Sequence, residues 1–244
     1  SEKGKKKLSY EQAVVYDRVL RFEERDKLMK ILYYVYLLDV YMAVANVAKE
    51  RGFVFAKAHP NDKNTLVMKG MFHPFLAKPV GNTITVDENS NVIFLTGANM
   101  AGKSTFMKSF GITVFLAHVG FPIPAKEMEF SVQNGMFTTI NLPDNLSMGY
   151  SHFYAEVLRV KKVAQQVRQT QHLIVVFDEL FRGTNVKDAF DATLAVTEAI
   201  AERKNCAFMV STHIIEVGQE LGKRCDNVTF EYLPTVMKGK LPTY

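Results

Sequence analysis

Cysteine is almost missing from this chain. Cys206 and Cys225 are the only two in 244 residues, too few for a disulfide scaffold or a four-cysteine zinc site, which favours a reducing compartment. No run reaches the roughly 18 uninterrupted apolar residues of a membrane span. The Lys-rich start lacks the apolar stretch that a signal peptide carries behind it. The expectation is a cytoplasmic protein without membrane contact. Glycine (14) and proline (8) are modest, and 48% hydrophobic against 23% charged residues excludes collagen-like and wholly disordered chains. Charge of one sign is scarce as well. The formal net charge is +5, and Lys3, Lys5, Lys6 and Lys7 fall in one terminal run, so charge permits nucleic acid as a partner without pointing to it. The length suits one large domain, or a medium domain with a smaller element. The first residue is Ser1 rather than Met, which suggests a piece of something longer.

Glycine and proline are both absent from Leu8 to Arg51, and apolar residues recur at helical spacing through Leu28, Ile31, Leu32, Val35, Leu38 and Met42. This predicts one or two long helices. A single helix would run about 65 Å at about 1.5 Å per residue, longer than a compact domain of this size is wide. Either a bent helical hairpin packs on the core, or the segment is an arm of a larger protein. Gly52, Pro60 and Asn61 mark the boundary, giving a helical segment at residues 1–58 and a main domain at 59–244. Strands are predicted at Thr83–Val86, Val92–Thr96, Met136–Ile140, Leu173–Phe177, Ala207–Ser211 and Val228–Tyr232. Helices are predicted at Ser104–His118, Phe153–Arg168 and Asp188–Arg203. Such alternation argues an α/β domain with a central, mostly parallel sheet flanked by helices.

Three segments carry chemistry. Gly97-Ala98-Asn99-Met100-Ala101-Gly102-Lys103-Ser104 is a full G-x-x-x-x-G-K-S match between an apolar strand and a helix, the context this phosphate-binding loop requires. Its glycines let backbone N–H groups turn onto phosphate oxygens, and a helix N-terminus adds favourable partial charge. Lys103 would reach the β- and γ-phosphates and the Ser104 hydroxyl would bind Mg²⁺. About 75 residues later Leu173–Phe177 is an apolar strand ending in Asp178-Glu179. There Asp178 can hold the metal and Glu179 can take a proton from attacking water. Ser211-Thr212-His213 closes the next strand. His213 projects from the same sheet edge as Asp178 if the two strands are parallel neighbours, and ligands of open α/β sheets bind at that edge. His118 and His172 have no such placement and read as structural.

The phosphate loop Thr96 to Thr105, the acidic strand running into Asp178-Glu179-Leu180-Phe181-Arg182-Gly183-Thr184, and Ser211-Thr212-His213 together resemble the ATPase domain of the MutS family of DNA mismatch-repair proteins. Phe72-His73-Pro74, and Leu38-Asp39-Val40 leading through Ala45-Asn46-Val47-Ala48, resemble it too. The likeness covers roughly residues 27 to 233. It implies an ABC-type P-loop ATPase using ATP and Mg²⁺, with nucleotide held by residues 97–105, including Ala98, Asn99, Met100, Ala101 and Thr105. It implies Lys103, Glu179 and His213 as catalytic groups, and Ser104 and Asp178 as metal ligands. In this family each of two sites is completed by a partner ATPase domain. Gly149-Tyr150-Ser151-His152-Phe153 resembles the segment whose serine contacts the γ-phosphate across that dimer, so Ser151 is the candidate acting in trans; it could equally cap the following helix.

The resemblance further implies a homodimer, and DNA reached through upstream domains of a parent protein in mismatch repair or recombination. The chain also stops before the last stretch of the family's ATPase domain. It departs from the usual pattern at His152 (Thr), Phe181 (Gly) and Asn185-Val186 (Ser-Thr), and an aromatic expected near Pro79 is absent. Two functions fit: an ATP-hydrolysing motor domain that couples nucleotide state to DNA clamping, or a nucleotide-gated switch that hydrolyses little.

Overall fold

The computed structural model describes residues 9–61, 63–97, 101–140, 152–233, 236–238 and 241–243. The chain divides into two compact units, Ser1–Glu50 and Arg51–Tyr244.

The first unit is helical. Ser9 opens α1 (Tyr10–Arg18) through a reciprocal capping box with Gln12, satisfying two otherwise orphaned N–H groups. A π-helical turn, Val19–Glu23, interrupts the run, and α2 continues from Arg25 to Arg51. Gly52, at φ 68°, ends it, because a residue without a Cβ enters the left-handed region at little cost. No residue of α1, the π turn or α2 is buried. The consecutive residues Ile31, Leu32, Tyr33, Tyr34, Val35 and Tyr36 are all exposed, and at about 100° per residue they cover every direction around the helix. By length and composition α2 is also sufficient to cross a membrane. Tyr and Asp39 break the uninterrupted apolar run without lowering the mean hydropathy enough to hide it.

In the second unit β1 (Lys57–His59), β2 (Leu66–Met71) and β3 (Asn82–Val86) precede β4 (Val92–Gly97) and α3 (Lys103–His118). Next come β5 (Glu127–Ser131), β6 (Gly135–Thr138), α4 (His152–Gln169), β7 (Leu173–Phe177), α5 (Val186–Ala201), β8 (Ala207–Ser211), α6 (Ile215–Arg224) and β9 (Val228–Leu233). A small hairpin of β10 (Val236–Lys238) and β11 (Leu241–Thr243) follows. The central sheet has five strands in the order β6-β7-β8-β4-β9, and every pairing in it is parallel.

The alternation of side chains along these strands divides the core in two. Ile93, Leu95, Ile174, Val176 and Met209 face one side, where Phe106, Met107, Phe110 and Val114 of α3 cover them. Val92, Phe94, Val175, Phe177, Phe208 and Val210 face the other, against Val163 and Val167 of α4, Leu194 and Ile200 of α5, and Val217 and Leu221 of α6. Helices therefore flank both faces, as expected for α/β alternation.

Of the second sheet, β1-β5-β2-β3, antiparallel except between β1 and β5, the sequence patterns anticipated β3 at Thr83–Val86 but not β1, β2 or β5. Its inward residues Leu66, Met68, Met71, Ile84, Val86, Met128 and Phe130 share the α3 core. Three of its strands are 3 to 5 residues long, and Lys69 and Gly70 break the apolar pattern of β2. The predicted strand at 136–140 shifts to Gly135–Thr138. α5 starts two residues early because Asn185 caps it, accepting the Asp188 N–H at 2.9 Å. Helix α6, not anticipated, presents only a narrow apolar stripe, Val217 and Leu221. Both cysteines are free, and burial pushes the Cys206 thiol pKa up, so it is a packing group rather than a nucleophile.

Candidate functional site

The order β7-β8-β4, all parallel, makes the strands carrying the three motifs end at one edge of the sheet. The condition set for His213 is thereby met, since β7 and β8 are parallel neighbours.

At the end of β4 only glycine fits position 97. Its φ is 151°, and a Cβ there would lie 2.6 Å from the Leu233 carbonyl oxygen on the adjacent β9. Gly102, at φ 90°, is the N-cap of α3, a left-handed conformation that turns the loop directly into the helix. Ala101 is buried. Lys103 begins α3 and is itself buried, its Nζ donating to the Gly97 carbonyl at 2.6 Å. Its side chain thus folds back over the loop it belongs to. Thr105 is the third residue of the helix, its carbonyl accepting the Ser109 hydroxyl at 2.8 Å. Ala98, Asn99 and Met100 lie outside the described residues.

Ser104, in the first turn of α3, meets the acidic strand. Its hydroxyl donates to Asp178 Oδ2 at 3.2 Å, joining two residues 74 apart in sequence. Sequence reasoning did not give a role to either of the hydroxyls that flank this tip. On the β6 side the Thr139 hydroxyl accepts the Asp178 N–H at 3.1 Å. On the β8 side the Ser211 hydroxyl donates to Asp178 Oδ1 at 2.8 Å and accepts the Glu179 N–H at 3.0 Å. Both follow from strand order: β6 and β8 are the two neighbours of β7. Glu179 has φ 50°, and its carboxylate lies 3.3 Å from the Arg182 guanidinium, an exposed cation. Such a pair contributes little to stability. The next residues, Leu180 and Phe181, are buried. Phe181 keeps φ 59° while its ring packs on Phe153 of α4, centroids 5.7 Å apart.

His213 is exposed just past β8, whereas the adjacent Thr212 is buried and its hydroxyl accepts the Ile214 N–H. His118 bridges Val114 O and the Gln133 N–H, its ring against Phe130, in keeping with a structural role. Ser151 lies outside the described residues. Among the described residues, no three His, Cys, Asp or Glu side chains gather as a metal cage. Mg²⁺ does not need one: it binds through one or two protein oxygens and completes its shell with water and phosphate. The Ser104 hydroxyl and Asp178 carboxylate, hard oxygen donors held 3.2 Å apart, suit that ion.

The family profile described as MutS domain V matches residues 93–237, the span that carries all three motifs. This chain belongs to the MutS domain V family. Among proteins similar to this family member is the DNA mismatch repair protein MutS of Persephonella marina, 31% identical over 217 residues, covering 85% of this chain and 24% of that protein. The protein of the same name from Clostridioides difficile is 29% identical over 225 residues, covering 89% of this chain and 23% of the relative. That from Brevibacillus brevis is 33% identical over 187 residues, covering 74% and 21%. The MutS domain V chain described here thus spans about a quarter of the length of the curated relatives it matches.

Proposed function

We propose that this chain binds and hydrolyses Mg·ATP as the motor domain of a MutS-like protein acting in mismatch repair or recombination. The observation that carries the reading is the Ser104–Asp178 contact, which joins the loop-to-helix element to the acidic strand tip. Its fold is then that of an ABC-type P-loop ATPase. The backbone of residues 97–105 and the start of α3 receive the phosphates. Lys103 leaves the Gly97 carbonyl for a phosphate oxygen, a stronger, charge-assisted partner. Mg²⁺, held by Ser104 and Asp178, would neutralise charge developing on the phosphoryl oxygens. Glu179 accepts the proton of the attacking water. His213 contacts that water or the γ-phosphate from the next strand end. These groups position and stabilise charge, which is most of what phosphoryl transfer requires.

The site is composite in this reading, with Ser151 reaching the partner's nucleotide in a homodimer. The 1–58 segment passes the change from the ATPase domain at 59–244 to a DNA clamp in the parent protein. Its helix α2 is read as an arm in the cytoplasm rather than a span. Asp39 at its centre would cost about 2.5–3.5 kcal/mol in a bilayer, and Tyr33, Tyr34, Tyr36 and Tyr41 lie mid-helix, away from the interfaces where tyrosine is favoured.

Phosphate release by the purified chain, by Glu179→Gln and by Lys103→Ala tests this. Glu179→Gln is expected to bind ATP and release phosphate at least about 100-fold more slowly, the loss typical of a general base. Lys103→Ala is expected to lose ATP affinity in calorimetry. A wild type that binds ATP but releases no phosphate supports a nucleotide-gated switch instead. Unchanged ATP affinity in a natively folded Lys103→Ala overturns the nucleotide site.

A further inference from the structure

The hydroxyl of Ser211 is placed where it touches both functional carboxylate residues at once. In the parallel register of β7 and β8, Phe177 stands opposite Val210, so the next pair along is Asp178 and Ser211. Ser211 is completely buried and both roles of its hydroxyl are used. The O–H donates to Asp178 Oδ1, and the oxygen accepts the Glu179 N–H. The two carboxylate oxygens of Asp178 are therefore divided, Oδ1 to Ser211 and Oδ2 to Ser104. That division fixes the plane of the carboxylate and leaves Oδ2 as the oxygen on the loop side. On the other arm, Glu179 occupies the left-handed region, a conformation unfavourable for a residue with a Cβ, and its N–H is tied to the same hydroxyl.

We infer that Ser211 is a positioning residue that aims Asp178 at the metal and holds the Glu179 turn in its working conformation. The inference rests on the ATPase reading above. It asks more of Ser211 than a buried hydrogen bond, because a buried hydroxyl with a merely structural role stands beside it. Thr212 is also buried, and among the described residues its hydroxyl accepts the Ile214 N–H and bonds to neither Asp178 nor Glu179. Thr212→Val is therefore the control for loss of stability without loss of aim.

The test uses Ser211→Ala, which deletes one oxygen and opens almost no space. Binding of ADP as a function of Mg²⁺ concentration by calorimetry, hydrogen exchange of the Glu179 amide without nucleotide, steady-state ATP turnover and the melting temperature are read in the 244-residue chain. Groups that orient a metal ligand typically change metal affinity or activity by about 10- to 100-fold. The Mg²⁺ midpoint should accordingly rise at least about 10-fold in Ser211→Ala and the turnover number should fall by a similar factor. The KM for ATP should change far less. Exchange at the Glu179 amide should accelerate, and Thr212→Val should lower the melting temperature while leaving the Mg²⁺ midpoint in place. If wild type and Ser211→Ala share one Mg²⁺ midpoint and one Glu179 exchange rate, or if Thr212→Val shifts the midpoint equally, Ser211 is structural only. A wild type that binds neither ATP nor ADP at any Mg²⁺ concentration instead removes the ATPase reading and the metal half of this inference with it. The amide exchange still decides whether Ser211 holds the turn.

Discussion

Phe181 holds two opposed energies in one residue. Its φ of 59° costs a non-glycine side chain about 1–2 kcal/mol. Its ring, however, is buried against Phe153, and deleting a buried phenyl ring costs about 3–5 kcal/mol. Packing wins, so Phe181→Gly should destabilise the chain by about 2 kcal/mol despite relieving the backbone. The urea midpoint at unchanged slope measures it, and a stabilised variant would mean the ring contributes less than the strain. The contact also links the turn after Asp178-Glu179 to the first helical turn after Ser151. The candidate residues Lys103, Ser104, Asp178, Glu179 and His213 could be singled out from motif and context, and the structure brings Ser104 and Asp178 together. Thr139 and Ser211 could not be given their roles, because a hydroxyl at a strand end acquires meaning only from the strand beside it.

At the scale of elements, the far ends of the same strands are held by buried amides. The Asn91 side chain donates to the Arg203 and Cys206 carbonyls at 3.0 and 3.3 Å and accepts from Asn227 at 2.7 Å. Asn64, which precedes β2 in the second sheet, donates to the Lys204 and Cys206 carbonyls. The turn between α5 and β8 is thus pinned to both sheets. Asn91→Ala strands several of these buried groups at about 1–3 kcal/mol each. We expect a loss of about 3 kcal/mol, or a melting temperature lower by about 6–12 °C in a chain of this size. Asn134, whose exposed amide reaches the Gln171 carbonyl, is the contrast, and Asn134→Ala should cost under about 1 kcal/mol. A similar loss in both variants would show that burial is not what gives the Asn91 bonds their weight.

For the whole molecule the prediction concerns assembly. A site that needs Ser151 of a partner is incomplete in a monomer, so specific activity should rise with protein concentration until dimers saturate. Mixing Ser151→Ala chains with Asp178→Asn chains should restore activity. In the mixed dimer, the intact Asp178 of the first chain meets the intact Ser151 of the second. Specific activity that stays constant on dilution of a preparation monomeric by light scattering, with no recovery on mixing, would make each chain self-sufficient.

The sequence by itself made the α/β alternation and the five strands of the central sheet legible, because short apolar runs rich in β-branched residues such as Leu173–Phe177, alternating with helical patterns, suit a parallel sheet covered on both faces. It also carried the G-x-x-x-x-G-K-S pattern, in which Gly102 suits its own left-handed backbone, whereas the need for glycine at 97 comes also from the Leu233 carbonyl of β9. Only the tertiary structure decided the second sheet: β3 was legible as a strand at 83–86, but β1, β2 and β5 are too short or too interrupted to announce themselves. The strand order that brings Ser104, Thr139 and Ser211 around one aspartate was likewise a tertiary outcome. These contacts join residues 32 to 74 positions apart, and nothing in local periodicity encodes which strands become neighbours.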